Sequence, residues 1–209
     1  MQYQHGDLNI ETLSLGELNT NCYLVWDSET QEAMIIDPAD EGSFISEKIL
    51  ELKLKPKYIV LTHAHFDHIL GLLEVKLNFD IPILMHEADN FLLESLPERA
   101  QHWLKRNTLP APAAEQFINE PDQIAFGNFE FKILNTPGHT PGSICIYNQE
   151  IIFSGDTLFK NAIGRTDLSY SNPQAMRNSL QKIFELNKNL VIYPGHGEPT
   201  TIQTEKQDY

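Results

Sequence analysis

The chain has 209 residues, a formal net charge of −14, 41% hydrophobic and 21% charged residues. That balance excludes a disordered chain, and the length allows a buried core without disulfide staples, with residues 1–209 read as one domain. Only 15 Lys and Arg leave no overall basic footprint for nucleic acid, and no apolar run approaches the ~18 residues of a membrane span.

Met1 to Asp7 hold neither a basic leader nor an apolar core, so no signal peptide is expected there. Short apolar or alternating runs at 10–15, 22–26 and 33–36 predict strands. Residues 43–54 carry Phe44, Ile45, Ile49 and Leu52 at helical spacing, with Ser43 placed to cap them. The apolar run 58–61 predicts a strand covered on both faces. A helix at 68–77, a strand at 81–85, a helix at 87–96 and a helical turn at 99–106 follow. Residues 107–121, rich in Pro, Ala and Asn, predict a loop across the molecule. Strands at 129–135, 143–147 and 151–153, a helix at 173–187 opened by Pro173, and a strand at 190–193 complete the pattern. Strands alternating with helices in both halves predict an α/β protein, a four-layer αβ/βα sandwich of two sheets faced by helices. Cys22 and Cys145 sit in apolar runs and read as small buried hydrophobes, in keeping with a reducing, cytoplasmic setting.

One pattern recurs where apolar strands end. The run 58–62 leads into His63-Ala64-His65-Phe66-Asp67-His68, and 131–136 leads into Pro137-Gly138-His139. The run 151–155 leads into Asp156, 190–193 into Pro194-Gly195-His196, and 34–36 into Asp37. Loops at the ends of strands in a rigid sheet are where sites are built. Imidazoles and carboxylates suit zinc, with iron or manganese as alternatives. His63 and His65 point the same way if the segment is extended, while Asp67 and His68 fall where the chain turns into a helix. Two ions share such a loop more easily than one: His63, His65 and His139 for the first, Asp67, His68 and His196 for the second. Asp156, with two oxygens, bridges them in a two-metal hydrolytic arrangement. After Asp67, Asp156 and a hydroxide are counted, two divalent ions keep a positive charge suited to a developing oxyanion. Burying these groups with hydrogen bonds alone is costly. Asp37 and Thr62 are expected to orient the metal-binding side chains rather than bind metal. Gly138 and Gly195 are either turn residues or points of close backbone approach to the ions. His5, His86 and His102, each alone, read as surface or core histidines.

The segment Thr62 to His68 resembles the HxHxDH signature of the metallo-β-lactamase superfamily. Thr136-Pro137-Gly138-His139-Thr140-Pro141-Gly142-Ser143, Phe153-Ser154-Gly155-Asp156-Thr157-Leu158-Phe159 and Pro194-Gly195-His196-Gly197 resemble its later motifs, and the likeness runs from Asn19 to Gly197. It implies the αβ/βα sandwich with a dinuclear centre at the sheet edges. Gly155 to Phe159 and Ile163-Gly164-Arg165-Thr166-Asp167 look most like the glyoxalase II branch, the hydroxyacylglutathione hydrolases, and especially its single-domain relatives. The C-terminal helical domain of glyoxalase II proper is expected to be absent. The resemblance implies a small-molecule thioester or lactone substrate, attacked by a hydroxide held between two divalent ions. Asp67 and Asp156 are the expected catalytic carboxylates, Asp67 also handling protons. Arg165 falls where the branch places a basic residue near a glutathione carboxylate, with Lys160 nearby. Rival readings are an iron-dependent persulfide dioxygenase, a lactone or β-lactam hydrolase, and a non-catalytic metal-binding domain. Dedicated β-lactamases generally lack a carboxylate at the Asp156 position, and ribonuclease relatives fit poorly with the acidic charge.

Overall fold

The computed structural model describes residues 1–207; Asp208 and Tyr209, the end of the expected domain, lie outside the described residues. The first sheet joins β1 (Gln2–His5), β2 (Leu8–Leu15), β3 (Thr20–Asp27), β4 (Glu32–Ile36), β5 (Lys55–Val60), β6 (Ile83–Met85) and β7 (Gln116–Phe117) in that order. The pairs from β1 to β4 are antiparallel and those from β4 to β7 parallel. The second sheet holds β8 (Gln123–Phe126), β9 (Phe129–Asn135), β10 (Ile144–Tyr147), β11 (Ile151–Gly155), β14 (Val191–Pro194) and β15 (Thr200–Thr201). A small hairpin of β12 (Leu158–Phe159) and β13 (Ala162–Ile163) follows β11.

Strand alternation sorts the side chains into three apolar layers. Between the sheets, Ile10, Val25, Met34, Ile36 and Val60 meet Phe131, Ile133, Ile146, Phe153 and Tyr193. On the outer face of the first sheet, Leu24, Ile35 and Ile59 pack with Ile45, Ile49, Leu72 and Val75. Those last four come from α1 (Gly42–Glu51) and α3 (Leu72–Phe79). On the outer face of the second sheet, Leu134, Ile152 and Ile192 pack with Met176, Leu180 and Ile183 of α6 (Pro173–Glu185). Helices, sheet, sheet and helix give the four layers. Cys22 lies in the first outer layer and Cys145 in the second, both as free thiols pushed up by burial.

Several boundaries differ from those expected. The helix at 43–54 is α1, ending at Glu51, and Ser43 does not cap it. Instead Glu74 of α3 accepts the Ser43 N–H at 2.7 Å and the Ser43 hydroxyl at 3.2 Å, supplying an acceptor from another helix. The helix at 68–77 is broken into α2 (Phe66–Ile69) and α3, because the Gly71 N–H is taken by the carbonyls of Pro38 and Ala39. The helix at 87–96 is a 3-10 turn at Glu87–Asp89 followed by α4 (Asn90–Glu94), and α5 is Leu96–Leu104. A last short helix, α7, covers Ile202–Glu205.

The first test concerns the borrowed cap. Glu74→Ala is expected to cost about 1 kcal/mol, lowering Tm by about 2–4 °C for a chain of this size. Calorimetry reads this directly, and Glu74→Gln, which keeps an acceptor oxygen, should recover most of the loss.

Candidate metal centre

The candidate ligands come from one shared edge of the two sheets. Asp37 follows β4, and the His63 to His68 segment follows β5. His139 follows β9, Asp156 follows β11 and His196 follows β14. The edge is stitched across the sheets. Thr20 pairs with His196 in an antiparallel bridge, the Asn21 N–H donates to Gly195 O at 2.8 Å, and the Ile144 N–H donates to Thr62 O at 2.9 Å. His65 is extended (φ −66°, ψ 146°) immediately before α2, so the chain turns into a helix at Asp67 and His68.

The seven side chains fall into two groups of converging ligand atoms. His63, His65, His139 and Asp156 form one; Asp67, His68 and His196 form the other. His65 Nδ1 lies 3.1 Å from His63 Nε2 and 2.8 Å from His139 Nε2. Asp156 reaches both groups: Oδ2 is 3.4 Å from His139 Nε2 and 3.6 Å from His196 Nε2, while Oδ1 is 3.4 Å from His68 Nε2. Asp67 Oδ2 lies 3.3 Å from His196 Nε2 and accepts the Thr20 hydroxyl at 2.8 Å.

The outward nitrogens decide what the inward ones can do. His139 Nδ1 donates to Arg165 O at 2.9 Å, and His196 Nδ1 to Leu18 O at 3.2 Å. His68 Nδ1 donates to Asp37 Oδ2 at 3.0 Å. The Thr62 hydroxyl gives its one proton to Asp37 at 2.6 Å, so at 3.1 Å it accepts from His63 Nδ1. His65 Nε2 meets the Tyr170 hydroxyl at 2.7 Å. With their outward nitrogens holding the N–H, His63, His68, His139 and His196 present lone pairs inward, and His65 does the same when the Tyr170 hydroxyl accepts from its Nε2. His68 Nε2 and Asp156 Oδ1 are buried without a hydrogen-bond partner. Buried lone pairs facing one another are unfavourable unless a cation lies between them. The donor set therefore fits metal ions, and its nitrogen and oxygen chemistry suits a dinuclear centre.

The electrostatics agree. Burial, then the charges of the neighbouring imidazoles, pull His63 well below its usual range. Burial and His139 take His65 to about 3. Burial opposes charge on His68 too, but the Asp67 and Asp156 carboxylates overcome it and push His68 up. Asp67 and Asp156 stay below the carboxylate range because His68 and His196 outweigh their burial. The carboxylate side of the site thus favours a cation at His68, a place that a metal ion fills as well as a proton.

Asp37 and Thr62, expected to orient the ligands, lie behind the imidazoles. Asp37 accepts from the Thr62 N–H at 2.7 Å as well as from Thr62 Oγ1 and His68. Gly195 makes a close approach: a Cβ there would fall on Asp156 Oδ1 and 2.8 Å from His68 Cε1. Gly138 has another role, since its Cβ would meet the Met176 backbone of α6 rather than the centre. Lys160 is not in the cleft; it pairs with Glu198 at 2.7 Å. Arg165 does line the cleft, but Asp167 holds its Nε at 2.7 Å and its Nη2 at 2.9 Å. His5 meets the Tyr193 hydroxyl, His86 accepts from the Ala88 N–H, and His102 packs on Trp103, all apart from the centre.

Sequence reasoning missed three residues. Asp89, wholly buried, accepts from the Ala64 N–H at 3.1 Å, the Thr140 hydroxyl at 2.7 Å and the Gly142 N–H at 2.7 Å. One carboxylate thereby clamps the His63 and His139 loops together. It follows β6 by a 3-10 turn, so the strand-end signal was present but displaced. Thr20 opens a strand instead of ending one, and Tyr170 lies in a loop. A cavity of about 290 Å³ opens over the centre, lined by His65, Asp67, His139 and Asp156 and by Leu18, Phe66, Trp103 and Leu168.

The family model of the metallo-beta-lactamase superfamily matches residues 15–196, and the chain belongs to that superfamily. Hydroxyacylglutathione hydrolase GloC of Haemophilus influenzae is 38% identical over 205 residues, covering 96% of each chain. Among solved structures, BLEG-1 B3 metallo-beta-lactamase superposes with a TM-score of 0.88 at 33% identity, covering 95% of this chain and 96% of that one. TTHA1623 in a di-iron-bound form gives 0.86 at 34%, covering 94% and 97%. Among the described residues no helix is long and apolar enough to cross a membrane.

Two substitutions test the geometry. Asp37→Asn cannot accept from Thr62 and His68 as the carboxylate does, and should weaken metal affinity by about 10- to 100-fold in chelator competition. Gly195→Ala should displace the Asp156 carboxylate and lower metal content with little change in the circular dichroism of the fold.

Proposed function

We propose that the chain is a metal-dependent hydrolase of the hydroxyacylglutathione type, cleaving a thioester. In this reading His63, His65 and His139 hold one divalent ion and Asp67, His68 and His196 a second, with Asp156 between them. The observation that carries the reading is the inward set of lone pairs: five imidazoles fixed from behind, facing a carboxylate that touches both groups. When bound, two such ions polarise a carbonyl and lower the pKa of water.

The chain's own residues do the rest. Asp67 and Asp156 both line the cavity, Asp67 standing beside the open space. Thr20 holds the Asp67 carboxylate in that direction. Leu18, Phe66 and Trp103 exclude water from one wall. The likeness to GloC supports the thioester, and the di-iron form of TTHA1623 keeps iron beside zinc and manganese as the resident metal. The free, buried thiols of Cys22 and Cys145 suit a reducing, cytoplasmic location. A second reading, β-lactam hydrolysis, rests on the likeness to BLEG-1.

The test pairs elemental analysis with a substrate panel of S-D-lactoylglutathione, an acyl-homoserine lactone, nitrocefin and glutathione persulfide. Two transition ions per chain and preferred turnover of the thioester are expected, with chelation abolishing activity and added metal restoring it. Faster nitrocefin hydrolysis would favour the second reading, and oxygen consumption with the persulfide on a single iron would overturn both. His63→Ala and Asp156→Ala should each lose metal and activity together. Full turnover and two ions in Asp156→Ala would remove Asp156 from its place between the groups.

A further inference from the structure

The cleft wall carries a cation that the metal centre does not use. Arg99 on α5 lines the cavity together with Trp103, one helical turn further on. Its Nε donates to Ser95 Oγ at 2.7 Å and its Nη1 to the Tyr170 hydroxyl at 3.3 Å. Its guanidinium lies over the Tyr170 ring, 5.2 Å from the centroid. All these partners are neutral. Among the described residues no carboxylate lies within ion-pair reach of Arg99. Arg165, the other cation lining the cleft, is held by Asp167, and away from the cleft Arg106 is held by Asp40 and Lys160 by Glu198. In a chain of net charge −14, an unneutralised guanidinium on a cleft wall is a place for a ligand's anion.

Its position is specific. The Tyr170 hydroxyl that Arg99 touches also meets His65, so the guanidinium stands one hydroxyl away from the metal centre. Arg99, Trp103, Leu168 and Tyr170 also line a second, outer groove of about 450 Å³, to which Glu98 contributes a carboxylate that is not paired with Arg99. The same four residues therefore form the wall between the reacting end of the cleft and a space for a bulkier group.

We propose that Arg99 is the specificity-determining residue of the cleft: it binds a carboxylate on the thiol half of the substrate, with Trp103 against the adjoining apolar part. The proposal rests on the thioester reading, because a hydroxyacyl group carries no carboxylate and the thiol half of a peptidyl thioester does. It transfers the anion-binding role expected of Arg165 to Arg99, since Asp167 already occupies the Arg165 fork.

The test is calorimetric binding of S-methylglutathione, a thioether that cannot be hydrolysed, to the metal-loaded protein. Loss of a charge-assisted pair in Arg99→Gln should weaken binding by about tenfold or more, and Arg165→Gln should cost less. The dimethyl ester of the same probe should bind the native chain and Arg99→Gln equally, which also shows that the variant is folded. In turnover, Arg99→Gln should raise KM for a carboxylate-bearing thioester and leave kcat nearly unchanged. Equal affinity of the native chain and Arg99→Gln for the charged probe, a larger effect at Arg165, or no binding by the native chain would each overturn the proposal. If no thioester is cleaved while binding still depends on Arg99, the hydrolase reading fails and the anion site stands.

Discussion

Everything at this sheet edge depends on how the backs of the imidazoles are held. Gathering five rings and two carboxylates in a nearly dry space exposes each to a desolvation cost that water can no longer relieve. The chain meets that cost from outside the cluster, with two backbone carbonyls, an aspartate, a threonine and a tyrosine hydroxyl. The two carbonyls, the aspartate and the threonine each fix one proton on the far side of a ring and so fix the lone pair on the near side, while the Tyr170 hydroxyl holds the His65 ring in place. The sheets supply the rigidity that makes this possible, because β4, β5, β9, β11 and β14 end at the same edge. Their apolar faces, packed in three layers, keep those ends from shifting relative to one another.

Two buried aspartates outside the seven candidate ligands join the loops that carry them. Asp37 joins the β4 end to Thr62 and His68, and Asp89 joins the two histidine loops through Ala64, Thr140 and Gly142. Asp37 adopts a left-handed backbone at φ 48°, a conformation that aspartate tolerates better than most residues. Neither carboxylate lines the open cleft, so both serve geometry.

How much of this was legible in the sequence follows from the range of each signal. The buried strands announced themselves as continuous apolar runs, and the polar residue ending each run was adjacent to it, so the candidate ligands could be gathered without coordinates. The four-layer sandwich followed from the same alternation. Signals spread over long separations were not readable. The cap of α1 comes from Glu74, 31 residues beyond Ser43. The helix expected at 68–77 is interrupted because the Gly71 N–H answers to Pro38 and Ala39, on a different element. β1, β8 and the two-residue strands β7, β12, β13 and β15 were not anticipated, β7 falling in the stretch 107–121 expected to be a loop, since edge strands and two-residue ladders have little apolar patterning of their own. Arg99 had no sequence signal at all: only the coordinates show that its neighbours are neutral while those of Arg165 are not.

Thr20, Asn21 and Ile144 stitch the two sheets together beneath the candidate ligands, while Arg99 and Trp103 of α5 and Tyr170 line the cleft. The Tyr170 segment belongs to both: its hydroxyl meets His65 and Arg99, and Ser171 and Asn172 bind the His139 and Gly138 carbonyls. A substitution in that segment therefore reaches the histidine loops as well as the cleft wall.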